Sequence, residues 1–189
     1  MWRLAQTIED ATLIAEICEQ AEPKEYGFSH RKGGLDKRVK QFMEENFINP
    51  EEAWFIYEDG VKKIALALEK RPNELGRIMR VCYVGFGADI YENCKGAMPL
   101  FGDKIREVFD AWGIKRFWSR SPRTLKGECE AALAEAFIGE AEVKIDGNSV
   151  RFDYDRDNKL PNENEYKLLK QPSKVDSDAL KGKILQDLK

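Results

Sequence analysis

RIMRVCYVGFG, residues 77–87, and YENCKGAMPLFGDK, residues 91–104, are the stretches whose reading decides the fold. The first is rich in β-branched and aromatic residues and reads as a strand. The second begins where that apolar run stops and ends inside an amphipathic pattern. It therefore reads as a loop feeding a helix from about Pro99 to Trp112, with Ile105, Val108, Phe109 and Trp112 facing inward. Pro99 suits a first helical turn, and Gly113 suits the left-handed position after a last one. IKRFWSRS, residues 114–121, is again a strand. A helix between two strands places them parallel, joined by a right-handed crossover. A loop at a helix N-terminus presents backbone N–H groups to a phosphate, and Lys95, Gly96 and Ala97 stand in this one.

Upstream of this unit, AWFIYEDGVKKIALALEK (53–70) is two apolar runs around Asp59-Gly60, the pattern of a β-hairpin. RPNELG turns the chain into residues 77–87, so three strands form an antiparallel meander. At the start, WRLAQ (2–6) is a short strand, and Thr7 with Asp10 forms a capping box for a helix striped by Ala11, Ile14, Ala15, Ile17 and Cys18. A polar loop, 22–34, leads to a second helix over 35–47. Downstream, KGECEAALAEAFI (126–138) is a helix stopped by Gly139, and EAEVKIDGNSVRFDYD is a closing hairpin about Asp146-Gly147-Asn148. The order β-α-α-β-β-β-α-β-α-β-β predicts an α+β domain over 1–154. Its sheet is mixed and mostly antiparallel, with helices on both faces.

From residue 155 the chain becomes highly charged and poor in bulky residues, an extended tail through 155–175. Asp176 or Ser177 can cap a last helix carrying Leu180, Ile184 and Leu188 at i, i+4, i+8, an apolar stripe suited to a partner's groove. The 31 basic and 34 acidic residues of the 189 leave a net charge of −3, which argues against a nucleic-acid surface. Cys18, Cys82, Cys94 and Cys129 are widely spaced and include no C-x-x-C pair. That speaks against a zinc site or a disulfide framework and for a reducing compartment. No apolar run reaches the roughly 20 residues a membrane span needs, and no signal peptide opens the chain. A cytoplasmic protein is expected.

The element order, together with FGDKIREVFDAWGIKRFWSRSP and the closing GECEAALAEAFIGEAEVKIDGNSVRFDYD, resembles the GNAT superfamily of acetyl-CoA-dependent N-acetyltransferases over about residues 1–154. The resemblance implies a pantetheine arm in a gap beyond the third meander strand. It also implies a pyrophosphate on a loop written Gln/Arg-x-x-Gly-x-Gly/Ala. Asn93-Cys94-Lys95-Gly96-Ala97-Met98 is the matching segment, with Asn93 in place of Gln/Arg and Met98 in place of the last small residue. Arg120 and Arg123, after the crossover strand, would flank the cofactor. The family's Tyr, four residues before the last helix's glycine stop, is Glu135 here, with Tyr154 and Tyr91 as substitutes.

Other residues carry a functional and a plain reading side by side. His30, the only histidine, is a general base or a solvated loop residue. Glu58, Asp59 and Glu69 are amine-deprotonating groups or ordinary surface charge. Cys82 is an inert core thiol. Trp2, Trp54, Trp112 and Trp118 read as packing. Two functions follow. In the first, an eroded acyl-CoA site leaves a structural or interaction module with no cofactor, anchored by its tail to a protein partner in an assembly. That reading is similar to small degenerate GNAT-like phage proteins, including virion components. In the second, the chain is a divergent N-acetyltransferase that uses acetyl-CoA.

Overall fold

Three hydrogen bonds at the start of the chain show how closely local sequence dictates local structure. Thr7 Oγ1 accepts from the Asp10 N–H at 3.2 Å, while the Asp10 carboxylate accepts from the backbone N–H groups of Thr7 at 3.0 Å and Gln6 at 2.8 Å. This capping box launches helix α1, Ile8–Ala21, which buries the expected stripe of Ala11, Ile14, Ala15, Ile17 and Cys18. The computed structural model describes residues 1–21, 51–122, 127, 130, 141–146 and 149–155. The expected helix over 35–47, His30, Arg123, Glu135 and the tail with Leu180, Ile184 and Leu188 lie outside the described residues. So does the 126–138 helix except for Gly127 and Glu130, both helical.

The described strands are β1 (Trp2–Leu4), β2 (Glu52–Asp59), β3 (Lys62–Arg71), β4 (Leu75–Val84), β5 (Arg116–Pro122), β6 (Ala141–Asp146) and β7 (Ser149–Asp155). They form one sheet in the order β1-β2-β3-β4-β5-β7-β6. Only β4 and β5 run parallel, and every other neighbouring pair is antiparallel. The meander, the crossover and the closing hairpin all stand as the sequence predicts, and the class is the expected mixed α+β. Helix α1 covers one face, packing on Trp54, Ile56, Ala65, Ala67 and Cys82. The helix between β4 and β5, α2 (Ile90–Ala111), covers the other, packing on Ile64, Leu66, Leu68, Ile78 and Tyr83. Strand β3 is buried from both sides, with its alanines toward α1 and its Ile and Leu toward α2.

Helix α2 corrects the expected boundary. It spans Ile90–Ala111, so residues 91–98 are helix and not loop, and Pro99 lies inside it. The physical reason is a start signal nine residues earlier than Pro99's own. Asp89 is the N-cap, with extended backbone (φ −123°, ψ 179°), and its side chain accepts from the Glu92 N–H. Packing carries the helix through the proline, because Cys94, Ala97, Met98, Phe101 and Ile105 on either side of it are all buried. The far end is as expected. Trp112 is the C-cap, and Gly113, at φ +70°, donates to Asp110 O while Ile114 donates to Phe109 O, a Schellman motif. Trp112 packs against the same core as expected but stays half-buried, whereas Phe109 is 1% exposed.

Candidate functional site

The parallel pair is short. β4 faces β5 from Leu75–Arg116 to Ile78–Ser119, yet β4 continues to Val84, and β5 continues along β7 as far as Pro122–Ser149. The strands part at a β-bulge. Against β3, Ile78 faces Leu68 and Arg80 faces Ala67, so Met79 is the extra residue. A one-residue slip turns every later side chain over and bends the strand. Ile78, Val81 and Tyr83 therefore share the α2 face, while Met79 and Cys82 share the α1 face. The bulge thus opens a wedge between two parallel strands and aims Tyr83 toward α2.

The N-terminus of α2 closes on itself beside this wedge. Asp89 Oδ1 accepts from Glu92 N–H at 2.9 Å, and the Asp89 carbonyl accepts from Asn93 N–H at 3.0 Å. The Glu92 carboxylate in turn accepts from Ala88 N–H at 3.2 Å. Asn93 Oδ1 accepts from Phe86 N–H at 2.8 Å, and its Nδ2 donates to Tyr83 O at 3.2 Å, which fastens the loop after β4 to the helix. The backbone also approaches closely. A Cβ on Gly87 would lie 2.3 Å from the Glu92 Cβ, and one on Gly96 would lie 2.9 Å from the Phe86 carbonyl oxygen. Gly96 is therefore a packing residue in the second turn of a helix, Ala97 beside it is buried, and Lys95 is exposed.

Tyr83, 2% exposed, stacks on Phe101 at a centroid distance of 5.7 Å. Its phenol is held far above the ordinary tyrosine range, first by burial and then by the charge of Glu130 and the nearness of Cys94. Sequence reading missed this residue. The alternation of β4 alone assigns it to the other face, and only the bulge reverses that.

The remaining candidates are scattered. Tyr154 stacks on Phe117 at 4.6 Å, at the end of β5 that is still paired with β4. Tyr91 is half-buried in the first turn of α2. Glu58 pairs with Arg3 at 3.2 Å, Glu69 pairs with Arg71 at 2.8 Å and Arg77 at 3.8 Å, and Asp59 is exposed at the hairpin. Cys82 is a fully buried thiol. Arg120 is exposed on β5, opposite Arg151 of β7. Trp118 is more than packing: the guanidinium groups of Arg77 and Arg151 each lie 4.9 Å from its ring. Arg151, buried, binds Asp153 through two hydrogen bonds of 2.8 Å. Among the described residues no three His, Cys, Asp or Glu side chains gather as for a metal, and no helix is long and apolar enough to cross a membrane.

No family model matches the chain. No curated protein matches it by sequence. Solved structures do. A spermidine N-acetyltransferase from Vibrio cholerae aligns over 82% of this chain and 93% of its own, with TM-score 0.58 at 12% identity. A second structure of that enzyme, in an intermediate state, covers 82% and 93% with TM-score 0.56 at 12% identity. A protein described as a GNAT-family acetyltransferase from Desulfovibrio desulfuricans covers 82% and 96% with TM-score 0.58 at 7% identity. At such identities the likeness speaks for the backbone alone, and it joins the mixed sheet, the parting of β4 from β5 and the helices on both faces in one conclusion: the chain has the fold of the GNAT acetyltransferases.

Proposed function

We propose that the chain is a divergent N-acyltransferase that takes an acyl thioester into the wedge between β4 and β5 and passes the acyl group to an amine. The observation that carries this reading is the parting of the two parallel strands at the Met79 bulge, in a fold shared with acetyltransferases. The transfer forms a carbon–nitrogen bond and breaks a carbon–sulfur bond, while the amine loses a proton and the sulfur gains one. Tyr83 is the side chain suited to hold that second proton. It lies on the part of β4 that has left β5, and burial keeps its phenol protonated at neutral pH. The residues fit acetyl-CoA in part: the parting of β4 from β5 leaves room for an extended pantetheine arm, whereas Asp89 and Glu92 set two carboxylates at the start of α2, just before the segment that matches the pyrophosphate loop. The test is thiol release from acetyl-CoA by the full chain with a panel of amines. Amine-dependent release, reduced in a folded Tyr83→Phe variant, is expected; release with no amine in the panel at millimolar donor would overturn the proposal.

That carboxylate pair favours one second reading. In it the acyl-CoA site is eroded, and the domain is an interaction module, a phage virion component in its narrowest form, anchored through residues 155–189 and the stripe Leu180, Ile184, Leu188. Deleting 156–189 would then leave a folded domain that no longer joins its assembly.

A further inference from the structure

Resting on the acyltransferase reading, we infer that the donor is recognised through its pantetheine arm and not through the nucleotide's phosphates. A pyrophosphate bound at a helix N-terminus needs backbone N–H groups aimed at it and positive potential around it. Around the N-terminus of α2 the protein's own oxygens already hold several backbone donors, three through side chains and one as the first bond of the helix itself. The N–H of Phe86 goes to Asn93, that of Ala88 to Glu92, that of Glu92 to the Asp89 side chain, and that of Asn93 to the Asp89 carbonyl.

Two of these acceptors are carboxylates, each within the first turn, where the helix dipole stabilises negative charge already in place. An incoming pyrophosphate would have to displace them and face their charge. The cations among the described residues nearby do not reverse the balance. Lys95 sits one turn further on, and the Lys62 ammonium lies 5.9 Å from the Phe86 ring centre. Among the described residues, these two lysines against two carboxylates leave the loop with no surplus of positive charge. The shape is equally closed, since Gly87 lies against Glu92 and Gly96 against Phe86 with no room for even a methyl group. The wedge is untouched by any of this. It begins at Met79, beyond the last β4–β5 pair, away from the carboxylates of the helix start, where an arm that carries amides but no charge meets no such repulsion. A thioester of pantetheine, free or carried on another macromolecule, meets those demands.

Calorimetry on the full chain, with pantetheine and coenzyme A as probes, tests this. Dissociation constants within about threefold of each other are expected, because the adenosine phosphates add nothing. In the double variant D89N/E92Q, whose amides keep the capping hydrogen bonds without the charge, coenzyme A should gain several-fold over pantetheine. Coenzyme A binding wild type more than tenfold tighter than pantetheine would overturn the inference and leave the acyltransferase reading standing. Failure of both probes to bind would overturn that reading and the inference with it. A double variant with unchanged preference would show that the two carboxylates do not exclude phosphate.

Discussion

Single residues in this protein do work their types alone would not suggest. Gly96 lies in a helix interior, where glycine usually costs about 0.5–1 kcal/mol relative to alanine. Here the sign reverses, because the new methyl group would lie 2.9 Å from a backbone oxygen that has no rotamer to escape into. Gly96→Ala should destabilise the fold by about 1–3 kcal/mol, the usual penalty for overpacking, as read by urea denaturation. Asp153 anchors the buried Arg151. Asp153→Ala leaves a buried cation without its carboxylate and should cost about 3–5 kcal/mol, measured in the same way. Asp10 adds a pH dependence. Burial pushes its carboxyl up, but the N–H groups of Gln6 and Thr7 and the Arg3 guanidinium outweigh that and hold it below the ordinary range. A depressed folded-state pKa stabilises above the unfolded value of about 3.9 and is lost as pH falls through the folded one. The stability difference between wild type and Asp10→Asn should therefore shrink from pH 7 to pH 3. The Thr7–Asp10 pair was fully legible, since a capping box is a local spelling.

Among the elements, α1 and the meander follow from periodicity and turn residues, whereas α2 shows where such reading stops. Pro99 and Gly113 are both helix punctuation, and only the second marks an end. Asp89-x-x-Glu92 also spells a start, but a proline ten residues later competes with it in one dimension and loses in three, where Cys94, Ala97 and Met98 are buried. The difference in burial between Phe109 and Trp112 has a similar origin. They are helical neighbours, and the C-cap turns the tryptophan partly outward. Phe109→Ala should cost about 3–5 kcal/mol and Trp112→Ala distinctly less, a ranking that thermal melts of the two variants will check. The bulge at Met79 was not legible at all. It is one unpaired residue in an otherwise regular apolar run, and its register depends on β3, not on β4 alone.

For the whole molecule, the order of elements was enough to reach the fold, because alternation, caps and the parallel pair joined by a helix all agree. The site was legible only as a segment. Residues 91–98 follow β4 as a self-capped helix in place of the expected phosphate loop, and the parting of β4 from β5 depends on a bulge and a strand divergence that no local pattern encodes. The central claim is that this wedge, and not the start of α2, receives the donor. Backbone-amide NMR of the full chain titrated with pantetheine tests it most directly. Shifts should concentrate at 79–84 and 119–122 and leave 86–93 near their starting positions. Shifts centred on 86–93, with β4 and β5 unmoved, would contradict it.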